Sequence, residues 1–157
     1  MLRVLVLSVL IVFVGCQTTQ VSRCLFYNAD LPMNAYVEGC IVPPCLLPQG
    51  QDAVINVIFR APRIIKNMKT LASASLLGIT PIEHDLEENA ITCNFLTNTY
   101  CPLLPDEVVQ YKLKMFIETF FPVNLPVIVE FRVADENDDL LWCLRLNIRI
   151  APPLAIQ

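Results

Sequence analysis

The chain has 157 residues with a formal net charge of −4, seven cysteines and 55% hydrophobic residues. This length suits one domain with a substantial core, and nothing in the composition calls for a second. An acidic chain without a cluster of lysine or arginine lacks the charge that nucleic-acid binding requires, so we expect no nucleic-acid partner.

The first residues have the pattern of a secretory signal peptide. Arg3 precedes an apolar run over residues 4–14, and the small residues Gly15 and Cys16 follow as a cleavage site. The run is shorter than the roughly 20 apolar residues that a membrane span needs. We therefore expect residues 1–16 to be removed and residues 17–157 to form a secreted domain, located outside the cell or in the lumen of endosomes or lysosomes.

Six cysteines remain after this cleavage, and an even number in an oxidising compartment indicates disulfides. Proximity along the chain pairs the close cysteines and leaves the two outermost to each other, which predicts the bridges Cys40–Cys45, Cys93–Cys101 and Cys24–Cys143. Zinc is the competing interpretation. No pair has Cys-x-x-Cys spacing and the single histidine is not near a pair, so we expect no metal and no cofactor.

The N-terminal part contains short candidate strands separated by prolines. Residues 24–27 and 35–37 are predicted as strands. The two prolines inside the Cys40–Cys45 interval predict a stiff loop at a sheet edge. Residues 48–51 have the composition of a turn, and the β-branched residues of 54–59 predict a strand after it.

The middle of the chain is less regular. Residues 71–77 are rich in alanine and serine and fit either a helix or a strand that leaves room beside it. Residues 78–92 are predicted mainly as an exposed loop because they contain Pro81 and several acidic residues. Within that loop we favour a solvated histidine at position 84 over an acid-sensitive switch. Residues 93–101 are predicted as a polar loop closed by a disulfide.

The last third contains the clearest strands. Residues 108–121, 127–133 and 142–150 alternate apolar and polar side chains, which is typical of strands with one buried face. The acidic residues 135–139 favour a hairpin turn over a calcium site. The whole pattern predicts an all-β fold, an immunoglobulin-like antiparallel sandwich of about seven strands with three disulfides. Periodicity alone favours a solid core between the sheets.

The chain contains none of the common catalytic motifs. A Gly-x-Ser-x-Gly turn, a phosphate-binding glycine loop and a His-Glu-x-x-His helix are all absent from the sequence. We therefore expect that the protein is not an enzyme.

The order of several residues resembles a known family. The shared features are the six cysteines, the Cys101–Pro102 and Phe121–Pro122 pairs, and a set of spaced positions: Leu47, Gly50, Phe59, Gly78, Tyr111, Phe131, Asp138, Asp139 and Ile150. In these features the chain resembles the ML-domain, or lipid-recognition, family, typified by the Niemann-Pick type C cholesterol transporter two and the group two mite allergens. The similarity covers nearly all of residues 17–157.

The resemblance implies a pocket rather than a solid core. In the family the sandwich opens into an apolar pocket for one sterol, fatty acid or similar lipid, and the disulfides agree with the pairing above. Carried over by position, the lipid-binding residues are Val37, Ile55, Val57, Phe59, Ala72, Tyr111, Met115, Ile117, Phe121, Pro122, Phe131, Leu146 and Ile148.

The resemblance also implies a function. It implies a monomeric carrier that binds and transports a sterol or fatty-acid-like ligand and touches membranes, or a membrane-embedded sterol transporter, only transiently. The alternatives are a semiochemical carrier and a protein of innate immune recognition that presents lipid.

Overall fold

The fold was analysed in a computed structural model that describes residues 17–76 and 79–155. The predicted signal peptide lies outside these residues. The strands in the described part are β1 (Asn34–Val37), β2 (Cys45–Pro48), β3 (Asp52–Arg60), β4 (Met68–Leu76), β5 (Ile82–His84), β6 (Val108–Phe116), β7 (Pro126–Asp135) and β8 (Leu140–Ala151). Two short 3-10 turns, Glu87–Ala90 and Thr92–Phe95, separate β5 from β6. Within the described ranges no helix has the length and apolar character to cross a membrane.

The strands form two sheets packed face to face. One sheet has the order β1-β3-β6 and the other the order β2-β8-β7-β4-β5. All pairs are antiparallel except β2 with β8, which is parallel. The predicted all-β, immunoglobulin-like sandwich is confirmed, with eight strands in the described part of the chain where about seven were expected.

Alternation of side chains places the core between the sheets. Along β3 every second residue is buried, and β6 repeats the pattern. The facing rows come from β7 and β8, with Val127, Val129, Phe131 and Val133 beside Trp142, Leu144, Leu146, Ile148 and Ile150. The alternation of apolar and polar residues in the sequence therefore corresponds to the two faces of the sheet, because the residues between these positions point away from the partner sheet.

The three disulfides join the predicted cysteines. The Cα atoms are 5.9 Å apart in Cys24–Cys143, 5.5 Å in Cys40–Cys45 and 5.8 Å in Cys93–Cys101. The first bridge spans 119 residues and connects the N-terminal segment to the last strand. In the chain-entropy model a loop of that size removes about 5 kcal/mol of conformational freedom from the unfolded chain.

The N-terminal segment differs from its prediction. Residues 24–27 form no strand, with bends at 25–27, and Leu25 and Phe26 are 66% and 63% exposed. The segment crosses the outer face of the five-stranded sheet, where the Leu25 N–H donates to the Glu130 carboxylate at 2.8 Å. The Leu25 N–H thus donates to a side chain instead of to the backbone of a neighbouring strand. The disulfide at Cys24 holds the segment over the sheet in this position.

Three further boundaries depart from the sequence expectations. Residues 45–48 form a short parallel edge strand, β2, ahead of the turn at Gly50, whose φ of +78° lies in the left-handed region that favours glycine. The expected loop over residues 78–92 contains β5, which pairs with β4. The strand expected over 108–121 ends at Phe116. The helix alternative for residues 71–77 is wrong for the described residues 71–76, which belong to β4.

Candidate functional site

The sheets separate at one end of the sandwich and enclose a cavity of about 290 Å³. The cavity lies beside the end of β4, β6 and β8 and the start of β7. Its apolar lining comes from both sheets and from the segments between strands: Ala74, Leu76, Ile79, Ile82, Met115, Phe121, Pro122, Val127, Val129, Ile148 and Ile150. Among the described residues, three polar ones also line it, namely Thr80, Glu83 and His84.

The small side chain of Ala74 explains why the space stays open. Ala74 stands opposite Val129 on one neighbouring strand and Ile82 on the other, so it occupies the centre of the inner row at this level. A methyl group there fills far less volume than the valine and isoleucine beside it. The alanine- and serine-rich segment is therefore a strand that leaves room beside it, as one of its two interpretations predicted.

The opposite end of the sandwich is closed by large aromatic side chains. The Trp142 ring lies 6.2 Å from that of Phe59 and 6.4 Å from that of Tyr111, centroid to centroid. The Tyr111 hydroxyl is 2.7 Å from the Thr70 hydroxyl, which is itself 2.7 Å from the Thr92 hydroxyl. Burial raises the pKa of Tyr111 to about 12, against the lowering effect of these hydrogen bonds.

The structure divides the predicted lipid-binding residues into two groups. Four of them line the cavity: Met115, Phe121, Pro122 and Ile148. The others do not line it and are buried in the core: Val37, Ile55, Val57, Phe59, Ala72, Tyr111, Ile117, Phe131 and Leu146. These nine side chains face the interior between the two sheets, as expected.

The sequence also missed residues that line the cavity. Val127, Val129 and Ile150 belong to strands whose inner faces were predicted, so the alternation alone could have added them. The residues of the rim, from Ile79 to His84, carried no such signal. They include a proline, Pro81, and an acidic residue, Glu83, a composition typical of an exposed loop.

The short strand β5 forms one lip of the cavity. Its register places His84 opposite Ala72 and Ile82 opposite Ala74, on the inner face of the sheet. Glu83 points the other way, where its carboxylate accepts from the Arg132 guanidinium at 2.8 Å. The Arg132 guanidinium in turn stacks 4.1 Å above the ring of Tyr27 in the N-terminal segment. The ion pair between Glu83 and Arg132 therefore links β5 to β7.

The segment after β6 forms the other lip. Phe121 contacts His84 edge to face at a centroid distance of 5.6 Å, and Phe120 packs on Phe121 at 5.0 Å. The rim carries exposed apolar side chains on both sides, including Phe120 at 77%, Ile82 at 73% and Ile79 at 64% exposure. The mouth of the cavity is therefore apolar towards solvent as well as inside.

A second depression, of about 480 Å³, lies on the outer side of the three-stranded sheet. It is lined mostly by polar side chains, from Gln17, Asn34, Tyr36, Glu38, Asn56 and Ile58. The Asn56 amide donates to the Glu38 carboxylate at 3.1 Å. A polar surface of this kind offers little to an apolar ligand, so the smaller cavity between the sheets is the better candidate site.

The acidic turn after β7 forms as expected, and its carboxylates have protein partners. Arg63 contacts Asp135 and, at 2.9 Å, Asp139. The Asp135 carboxylate also accepts from the N–H groups of Asn137 and Asp139 at 2.9 and 3.0 Å. Burial opposes ionisation of Asp135, but these donors hold its pKa below the ordinary value.

Comparison with known proteins identifies the family. The family model described as the ML domain matches residues 18–150. The chain belongs to the ML-domain family. The family is one of lipid-binding proteins, and its sandwich is the architecture described above.

Individual ML-domain relatives are similar at a modest level. "NPC intracellular cholesterol transporter 2" of Sus scrofa is 27% identical over 114 residues, which cover 73% of this chain and 73% of that protein. "Mite group 2 allergen Der f 2" of Dermatophagoides farinae is 24% identical over 149 residues, or 94% of this chain and 97% of the allergen. A solved Niemann-Pick type C2 protein from the Japanese carpenter ant superposes with a TM-score of 0.70 at 20% identity, covering 84% of this chain and 99% of that one, and supports the fold.

Proposed function

We propose that the chain is a secreted lipid carrier that holds one lipid in the cavity between its sheets and delivers it without chemical change. The observation that carries the proposal is an apolar cavity that opens at one end of the sandwich. Membership of the ML-domain family supports it.

The hydrophobic effect supplies the driving force for binding. An acyl chain or sterol that leaves water buries a few hundred Å² of apolar surface, which at about 25 cal/mol per Å² yields several kcal/mol before binding costs. Met115 suits such a wall because its flexible thioether adapts to ligands of different shape.

The size of the cavity bears on which lipid it holds. Its volume of about 290 Å³ lies at the lower end of the roughly 300–1,000 Å³ typical of small-molecule sites. A slender single-chain lipid fits that space with the least rearrangement, whereas a sterol requires the lips at Phe121 and β5 to move apart. The volume therefore favours a carrier of single-chain lipids, including a semiochemical carrier, over the sterol transport named for the porcine relative.

The polar residues of the cavity do not form a catalytic arrangement. The Glu83 carboxylate is paired with Arg132, and the ring of His84 packs against Phe121. A hydrolytic site needs a nucleophile within hydrogen-bond reach of a base and donors placed for an oxyanion. We therefore propose binding and release rather than turnover.

The rim supports delivery by contact. The exposed side chains of Ile79 and Ile82 line the mouth itself, and exposed Phe120 packs on Phe121 beside it. An apolar rim can rest transiently on a membrane, or on a membrane-embedded lipid transporter, so that the ligand leaves without crossing water. The protein itself would act as a monomer.

A cavity-filling substitution tests the proposal. Replacing Met115 by Trp places a ring in the cavity, and we expect uptake of a fluorescent fatty acid to fall by at least tenfold while the circular dichroism spectrum is retained. Phe116→Trp is the matched control, because Phe116 is the next residue of β6, is 42% exposed and does not line the cavity. A folded Met115→Trp protein with undiminished uptake would place the ligand elsewhere.

The identity of the lipid requires the natural protein. Mass spectrometry of an organic extract from protein purified from its source should show a stoichiometric single-chain lipid. A stoichiometric sterol would support sterol transport instead. An empty extract, together with no uptake of either lipid class in vitro, would refute the carrier proposal.

A further inference from the structure

His84 is a polar group at the lip of an otherwise apolar cavity. It is half-buried, it lies on the inner face of β5 opposite Ala72, and its ring contacts Phe121 across the mouth. The only histidine of the chain thus stands where a ligand with its tail in the cavity would have its head group. The cavity walls below it, at Val129, Met115 and Ile148, offer no polar side-chain group.

The charges around this lip are negative. Glu83 precedes His84, and Asp85, Glu87 and Glu88 follow it. Arg132 compensates Glu83, but no lysine or arginine is among the described residues that line the cavity. A carboxylate head group would therefore find no cation facing it from the described lining, next to a segment that carries net negative charge.

We propose that His84 is the head-group site of the cavity and that it selects single-chain lipids with a neutral hydroxyl head over fatty acids and over plain hydrocarbons. This inference rests on the proposed function, because it assumes that the lipid tail occupies the cavity. A neutral imidazole has one donor and one acceptor nitrogen, and a hydroxyl group both donates and accepts. A carboxylate only accepts, and a hydrocarbon does neither. The Thr80 hydroxyl, also in the lining, is a second hydrogen-bonding group on the same lip.

The test compares three ligands with the same tail. Dodecanol, dodecanoate and dodecane are used to displace a fluorescent probe such as N-phenyl-1-naphthylamine at neutral pH, from the full mature chain and from two variants. His84→Leu removes the hydrogen-bonding group and keeps an apolar side chain. His84→Gln keeps a donor and an acceptor, and it also guards against loss of the lip through misfolding.

We expect the wild-type protein to bind dodecanol about fivefold to tenfold more tightly than dodecane, the factor that one hydrogen bond supplies. Dodecanoate should bind more weakly than dodecanol. In His84→Leu the preference for dodecanol over dodecane should fall to less than twofold with dodecane affinity unchanged, and His84→Gln should restore most of it.

Two results would overturn the inference and leave the carrier proposal intact: tighter binding of dodecanoate than of dodecanol, or a preference for dodecanol that survives His84→Leu. Failure of the folded wild-type protein to bind any of the three ligands or the probe would refute the carrier proposal itself. The two failures are thereby distinguished.

Discussion

The two ends of the sandwich are built from the same strands and behave differently. At the closed end, β4 contributes Thr70 to a buried hydrogen-bonded group with Tyr111, and the Trp142 ring fills the space beside it. At the open end the same strand contributes Ala74, which lines the cavity. The comparison shows that strand alternation decides which residues face inward, whereas side-chain volume decides whether the sheets enclose a core or a cavity.

Raising the pH tests the contribution of the closed end to stability most strongly. The folded pKa of Tyr111, about 12, exceeds the ordinary value of 10.0, so the unfolded chain loses this proton first as the pH rises. The stabilisation is complete below pH 10 and is lost between pH 10 and 12, by about 2–3 kcal/mol in total. We expect urea unfolding of the wild-type protein to show this loss relative to Tyr111→Phe, whose stability lacks the contribution.

A wild-type protein and a Tyr111→Phe variant that lose stability in parallel between pH 10 and 12 would contradict this account of the closed end. Lipid uptake at neutral pH serves as the control, because Tyr111 does not line the cavity and its replacement should leave uptake within twofold.

Ala72 and Ala74 of β4 allow a matched comparison between the packed core and the cavity. Ala72 is 1% exposed and faces Phe131, whereas Ala74 lines the cavity. Ala72→Leu overfills a packed region and should lower the free energy of unfolding by about 1–3 kcal/mol. Ala74→Leu should fill existing space, change stability by less than about 1 kcal/mol and reduce lipid uptake at least tenfold.

Urea midpoints and probe displacement on both variants check this prediction. Equal destabilisation by the two substitutions, or full uptake by Ala74→Leu, would mean that the open end is packed like the closed one.

The strands of the last third could be predicted because their stability comes from one buried face that repeats every second residue. Leu144 to Ile150 alternates apolar and polar residues, Val127 to Val133 does so except at Ile128, and both runs are strands. The disulfides followed from spacing, since short intervals such as that between Cys93 and Cys101 permit ring closure. The strands and the two short disulfides are local features, so one sequence suffices to find them, and Cys24–Cys143 follows as the remaining pair.

The lips of the cavity could not be predicted in the same way. β5 has three residues, and its place depends on pairing with β4 and on the contact of Glu83 with Arg132, 49 residues away. Residues 24–27 have strand-like composition, yet a disulfide and a buried carboxylate hold them over the sheet. Such arrangements depend on contacts distant in sequence, and alternation carries no information on them. Alternation likewise does not tell which of the inward-facing residues line the cavity.

The central claim is that an apolar ligand enters the open end and leaves the closed end unchanged. Methyl-labelled NMR spectroscopy during titration with dodecanol tests it most directly. We expect saturable shifts at one equivalent for the methyl groups of Met115, Ile82, Ile148 and Ile150, with those of Ile55 and Ile65 unmoved. Shifts confined to Ile58 in the outer depression, or no saturable shifts in the folded protein, would contradict the account.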